Sequence, residues 1–189
     1  MHVHQVSVGY QPEQDRVLVR VNASDNKELQ FWVTRRLALG LMPLLDRIST
    51  ERAAQRGGPA TAHLASADPL AKKAMAEFQR SETLRRADFS TPYQAPPASE
   101  PLFGGPLLIT EITIAPMAGG QLRLNCTEKL ADKPAQRRFE LALSDVLTHA
   151  FMHLLERAVA ASQWRVVPPA DATQSPAAPA TPHPPGYLN

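Results

Sequence analysis

The chain has a single cysteine, Cys126, among 189 residues. No disulfide can form within it, so the disulfide framework of small secreted domains is excluded. Aromatic residues amount to only 6%, which leaves a core to be built from Leu, Val, Ile and Ala. No apolar run comes near the ~20 residues a membrane-spanning helix needs. The opening stretch MHVHQVSVGYQPEQD lacks the basic segment followed by an apolar one that marks a secretory signal. Together these absences predict a soluble, cytoplasmic protein that does not engage membranes. A surplus of one charge is also missing: 20 basic residues stand against 18 acidic ones, a formal net charge of +2. No global attraction to nucleic acid is expected from that balance, and any polyanion site would be a local patch.

The linear signatures of catalysis are missing too. There is no G-x-x-x-x-G-K-[ST] phosphate loop, no G-x-G-x-x-G after a strand and no G-x-S-x-G nucleophile elbow. GGP at 57–59 and again at 104–106 is closed by proline each time and reads as a turn. No catalytic residue and no cofactor is indicated.

What the chain does have is alternation. Val6, Val8 and Tyr10, then Val17, Val19 and Val21, then Leu29, Phe31 and Val33 form three period-two rows, the mark of strands whose side chains alternate between faces. QPEQD and ASDNK between them suit hairpin turns. After Val33 the period lengthens. Thr34 can cap a helix running to about Arg52, with Leu37, Leu41, Leu44, Leu45 and Ile48 on one side. Gly40 and Pro43 interrupt it, and Pro43 predicts a kink or a late start, because it has no amide proton to give. The same grammar returns from residue 107: Ile112 and Ile114, then Leu122, Leu124 and Cys126, then Phe139, Leu141 and Leu143. Ser144 follows as a cap, before a helix to about Ser162. Met42, Leu44, Leu45, Asp46 and Arg47 fall on Met152, Leu154, Leu155, Glu156 and Arg157 at a constant offset, as Thr34 falls on Ser144. This reads as an internal duplication.

The expected fold class is therefore α+β: two duplicated βββα units, with antiparallel sheets covered by helices, plus one central helix that begins at Asp68-Pro69. Four segments follow: a first repeat over 1–55, a linker with the central helix over 56–106, a second repeat over 107–165 and a tail over 166–189. The 18 prolines crowd the tail and residues 92–106. The tail has almost no large apolar groups and is expected to be disordered.

Two stretches, DRVLVRVNASDNKELQFWVTRR and EFQRSETLRRADFSTPY, resemble a family of conserved hypothetical proteins of proteobacteria over most of residues 5–165. That resemblance implies a coherent family and supplies no activity, substrate or catalytic residue. In architecture alone, duplicated units of antiparallel strands plus a helix are similar to the Whirly-type single-stranded-DNA binders.

The strand phase sets Arg20, Gln30 and Trp32 on the face opposite the apolar rows, with Arg35 and Arg36 at its end. An aromatic plate flanked by guanidinium groups suits single-stranded nucleic acid, whose bases stack and whose phosphates take arginine. The competing reading packs Trp32 under the central helix or the second repeat. His149, His153 and Glu156 share one side of the last helix and could in principle ligate a metal. A solvated polar face opposite Leu147, Phe151, Leu154 and Ala158 explains them more simply, and no metal is expected. Cys126 falls in the inward phase and reads as a small buried hydrophobe. The charges of the central helix pair at helical spacing, Lys73 with Glu77 and Glu82 with Arg86. The function expected is that of a non-catalytic binding or interaction protein. Its partner is either single-stranded nucleic acid or another protein met through exposed apolar helix surface or the tail.

Overall fold

The computed structural model describes residues 3–23, 27–56, 68–95, 101–132 and 135–165. It is a mixed α+β fold with two sheets and three helices among those residues. The three predicted rows of the first half become β1 (Val3–Gln11), β2 (Arg16–Ala23) and β3 (Glu28–Val33), an antiparallel meander. Its inward row is Val6, Val21 and Leu29, then Val8, Val19 and Phe31, then Tyr10, Val17 and Val33. Helix α1 (Arg35–Arg56) follows. After α2 (Pro69–Arg86) comes β4 (Leu107–Leu108), two residues that add to β3 in parallel and complete a four-stranded sheet. The second sheet is β5 (Glu111–Pro116), β6 (Leu122–Glu128) and β7 (Arg137–Leu143), again an antiparallel meander, followed by α3 (Asp145–Ala161).

Each three-stranded meander is thus followed by a helix, and the two helix starts are built alike. Thr34 Oγ1 accepts from Leu37 N at 3.4 Å, and Ser144 Oγ accepts from Leu147 N at 3.3 Å. Each hydroxyl satisfies one of the amides that a helix start leaves without a partner. Asp68 does the same for α2, accepting from Leu70 N at 2.8 Å.

Two expectations are corrected. α1 runs unbroken through Gly40 and Pro43 and starts where its cap predicts. Pro43 lies on an exposed side, where its ring meets solvent and the carbonyl deprived of a partner is open to water. β4 was not visible as a strand, because two residues carry no period. The expected disordered tail, and the GGP at 57–59, lie outside the described residues.

The strands form two sheets, not one, and the sheets share one core. Val17, Val19, Leu29, Phe31 and Val33 from the first sheet cluster with Leu122, Leu124, Cys126, Leu141 and Leu143 from the second. Phe31 and Phe139 meet across the junction with ring centroids 5.2 Å apart. Ala38, Leu41 and Leu45 of α1 and Phe151, Met152, Leu155 and Val159 of α3 join the same cluster. α3 lies chiefly along β1, so the helix of the second half covers a strand of the first. The chain changes sheet within one dipeptide: Ile109 N donates to Trp32 O at 3.1 Å, and the next amide, Thr110 N, donates to Thr127 O at 2.9 Å. Buried Glu128 reinforces the seam by accepting from Leu108 N at 2.7 Å and pairing with Arg137. An uncompensated carboxylate there would be costly, and both partners are charged or strongly polar.

Candidate functional site

The outer face of the first sheet carries the residues that the strand phase brought together. Its register sets Leu18 beside Trp32 and Trp32 beside Leu108, with Arg20 beside Gln30 in the next row. Trp32 is half-buried. A strap leading from the end of α2, residues 88–94, crosses the Arg20 end of this face. Gln94 N donates to Gln5 Oε1 at 3.0 Å, Asn22 Nδ2 donates to Gln94 O at 3.2 Å, and Gln5 Nε2 donates to Pro92 O at 3.1 Å. The Tyr93 ring lies beneath the Arg20 guanidinium, 5.4 Å from its centroid, and its hydroxyl donates to Glu28 Oε1 at 3.1 Å. Burial, and then the Glu28 charge, push the Tyr93 phenol above its ordinary value, so it stays a donor. Gln30 Nε2 donates to the other Glu28 oxygen at 3.0 Å. Arg20 and Gln30 are therefore tied to the strap and to a carboxylate that is 5% exposed. Arg35 donates to Trp164 O at 2.9 Å. Arg36 is exposed.

The strap is held at its start by Asp88, which accepts from the backbone amides and hydroxyls of Ser90 and Thr91. Those bonds hold its carboxyl well below the usual range, since a carboxylate surrounded by donors resists protonation.

The histidine stripe is also rearranged. His149 is 8% exposed, not solvated. α2 packs across this side of α3, where Arg80 pairs with Glu156, and the Phe89 ring meets the His153 ring edge-on at 5.3 Å. Glu156 and His153 thus serve contact with α2 and the strap, while His149 lies beside Asp145 of its own helix, and no cluster among the described residues has the makings of a metal site. The apolar side expected for this helix is split between two surroundings. Phe151, Met152, Leu155 and Val159 enter the core, whereas Val146, Leu147, Ala150 and Leu154 face a groove. Cys126 is 1% exposed, and burial pushes its thiol up to about 12. That is the setting of an inert side chain rather than a nucleophile.

That groove is the concavity that sequence reasoning missed. It encloses about 590 Å³ between β1, the strap and α3. His4, Gln5, Val6, Ser7 and Val8 all line it. Consecutive residues point to opposite faces of a strand, so the groove runs along the edge of β1. That edge has no strand beside it among the described residues, because β1 ends the sheet. The apolar row of α3 lines it as well, together with Phe89, Tyr93 and exposed Arg86. The one signal in the sequence was a second apolar row on α3 beyond the core-facing one, at Val146, Ala150 and Leu154.

No protein-family model matches this chain, and neither do curated proteins or solved structures.

Proposed function

We propose that the protein is a non-catalytic interaction module whose groove takes an extended segment of a partner protein. The observation that carries this reading is the unpaired edge of β1 running beside an apolar helix face across a groove of about 590 Å³. A strand edge offers backbone donors and acceptors, and an adjoining apolar helix offers pockets for alternate side chains; peptides are bound this way by strand addition. Exposed Arg86 in the groove's lining favours an acidic residue flanking the apolar ones, because Glu82 pairs with Arg85 rather than with Arg86 and the other neighbouring carboxylate, Asp88, is already saturated by Ser90 and Thr91.

The test is selection of displayed random dodecapeptides on the full chain, followed by fluorescence polarisation of a selected peptide. Ala150→Arg should fill the groove and weaken that peptide at least tenfold while leaving the melting temperature in place. Equal affinity in Ala150→Arg, or no peptide above background, refutes the reading.

Single-stranded nucleic acid is the second reading, favoured by the half-buried Trp32 ring and the exposed Arg36. Of its five residues, Arg20, Gln30 and Arg35 already have partners within the chain. A labelled single-stranded oligonucleotide titrated at low and higher salt decides it. Salt-sensitive, saturable binding lost in Trp32→Ala would put this reading first.

A further inference from the structure

A second surface stands apart from the groove and does not depend on it. α2 has no fully buried residue and packs mainly on α1 and α3. Its outward side carries Leu70, 75% exposed, and Phe78, 68% exposed, with exposed Ala74 midway between them. Spacings of four place the three in one row on the helix. Beside that row runs another, exposed Lys73 and Glu77. Single exposed apolar residues need no explanation, but the two most exposed large ones among the described residues share a single helical row.

We propose that this side of α2 pairs with α2 of a second copy of the chain, antiparallel and centred between Ala74 and Met75. The pattern is its own complement. A two-fold axis there sets Leu70 within one residue of register with Phe78 of the second copy, and Lys73 within one of Glu77, and the small alanine at the crossing lets the two backbones approach. In an antiparallel pair the flanking row of one helix meets the same row of the other, so Lys73 faces Glu77 of the second copy, twice. A parallel pair would instead put the two copies of this row on opposite sides of the seam, where Lys73 and Glu77 do not meet. Opposite charges on the rim favour the antiparallel arrangement, which alone brings them together, and an isologous interface is the commonest way for a chain to associate with itself. One helix pair covers less than the roughly 1,200 Å² of a standard stable interface, so the association is weak and concentration-dependent.

The full chain should be followed by sedimentation velocity from about 1 µM to about 1 mM, a span suited to the weak association of so small an interface. A monomer passing to a dimer is expected, and Phe78→Glu should abolish the dimer without moving the thermal melt, since the side chain is exposed in the monomer. Lys73→Glu and Glu77→Lys should each weaken self-association several-fold. An equimolar mixture of those two variants should recover it, because every cross-chain pair in the mixed dimer is again opposite in charge. A chain that stays monomeric throughout, a dimer indifferent to Phe78→Glu, or a mixture no tighter than its components would each overturn the proposal.

Discussion

Asp15 accepts from Trp164 Nε1 at 2.7 Å and from Tyr10 Oη at 2.9 Å. Those two bonds, Trp164 first, hold its pKa below the ordinary 3.8. The sign of the consequence follows. A carboxyl depressed in the folded state contributes stability above its unfolded value, and that contribution fades as pH falls through 3.8 toward the lower folded value. Asp15→Asn should therefore be less stable than the wild type at neutral pH, with the gap closing below about pH 4 as the wild-type carboxyl is protonated. Urea titrations at a series of pH values measure it; a gap that stays constant down to pH 2 would mean that charge has no part. Cys126 gives a second expectation at this scale. With its thiol pushed up to about 12 by burial, it should resist a thiol reagent at pH 8 for as long as the protein is folded. In denaturant it should react at once. Rapid labelling of the native protein would contradict the packing described for β6.

The helices and strands were legible in the sequence where a period and a cap coincided. Val17, Val19 and Val21 announce β2, and the Thr34 and Ser144 hydroxyls mark the first turns of α1 and α3, because those patterns depend on local geometry alone. What could not be read depends on distant partners. The strap over Arg20 exists because Gln94 and Tyr93 find Gln5, Asn22 and Glu28, more than 60 residues away in sequence. His149, His153 and Glu156 looked solvated because no linear pattern says that α2 folds across them. Of the proposed nucleic-acid face, the shared side of Arg20, Gln30 and Trp32 was legible, but not their occupancy. The interruption of α1 was overstated, and this yields a test. A Cβ added at Gly40 would meet nothing within 4 Å, and the residue lies inside a helix at ordinary helical φ. Gly40→Ala should therefore raise stability by about 0.5–1 kcal/mol through lost unfolded-state freedom alone. A neutral or destabilising result in chemical denaturation would mean that α1 bends at this position.

For the molecule as a whole, two meanders each followed by a helix invite the idea of two folding units, and the packing argues against it. Phe31 is 2% exposed in the first sheet and touches Phe139 of the second, while α3 of the second half lies along β1 of the first. Adjacent amides at 109 and 110 bond to different sheets. Neither half can bury its apolar face without the other, because each sheet needs a second layer to cover it. Unfolding should then be a single transition, with calorimetric and van't Hoff enthalpies equal within error. Phe31→Ala removes the ring at the junction and should cost roughly 3–5 kcal/mol, the usual range for an aromatic core truncation. The loss should reach both halves together: amide exchange in β6 and β7 should speed up by the same factor as in β2 and β3, since a global opening exposes them all. If exchange accelerated in β2 and β3 while β6 and β7 kept their protection, the halves would be separate cooperative units, and the common core would be a contact between two folded bodies rather than the condition for either to fold.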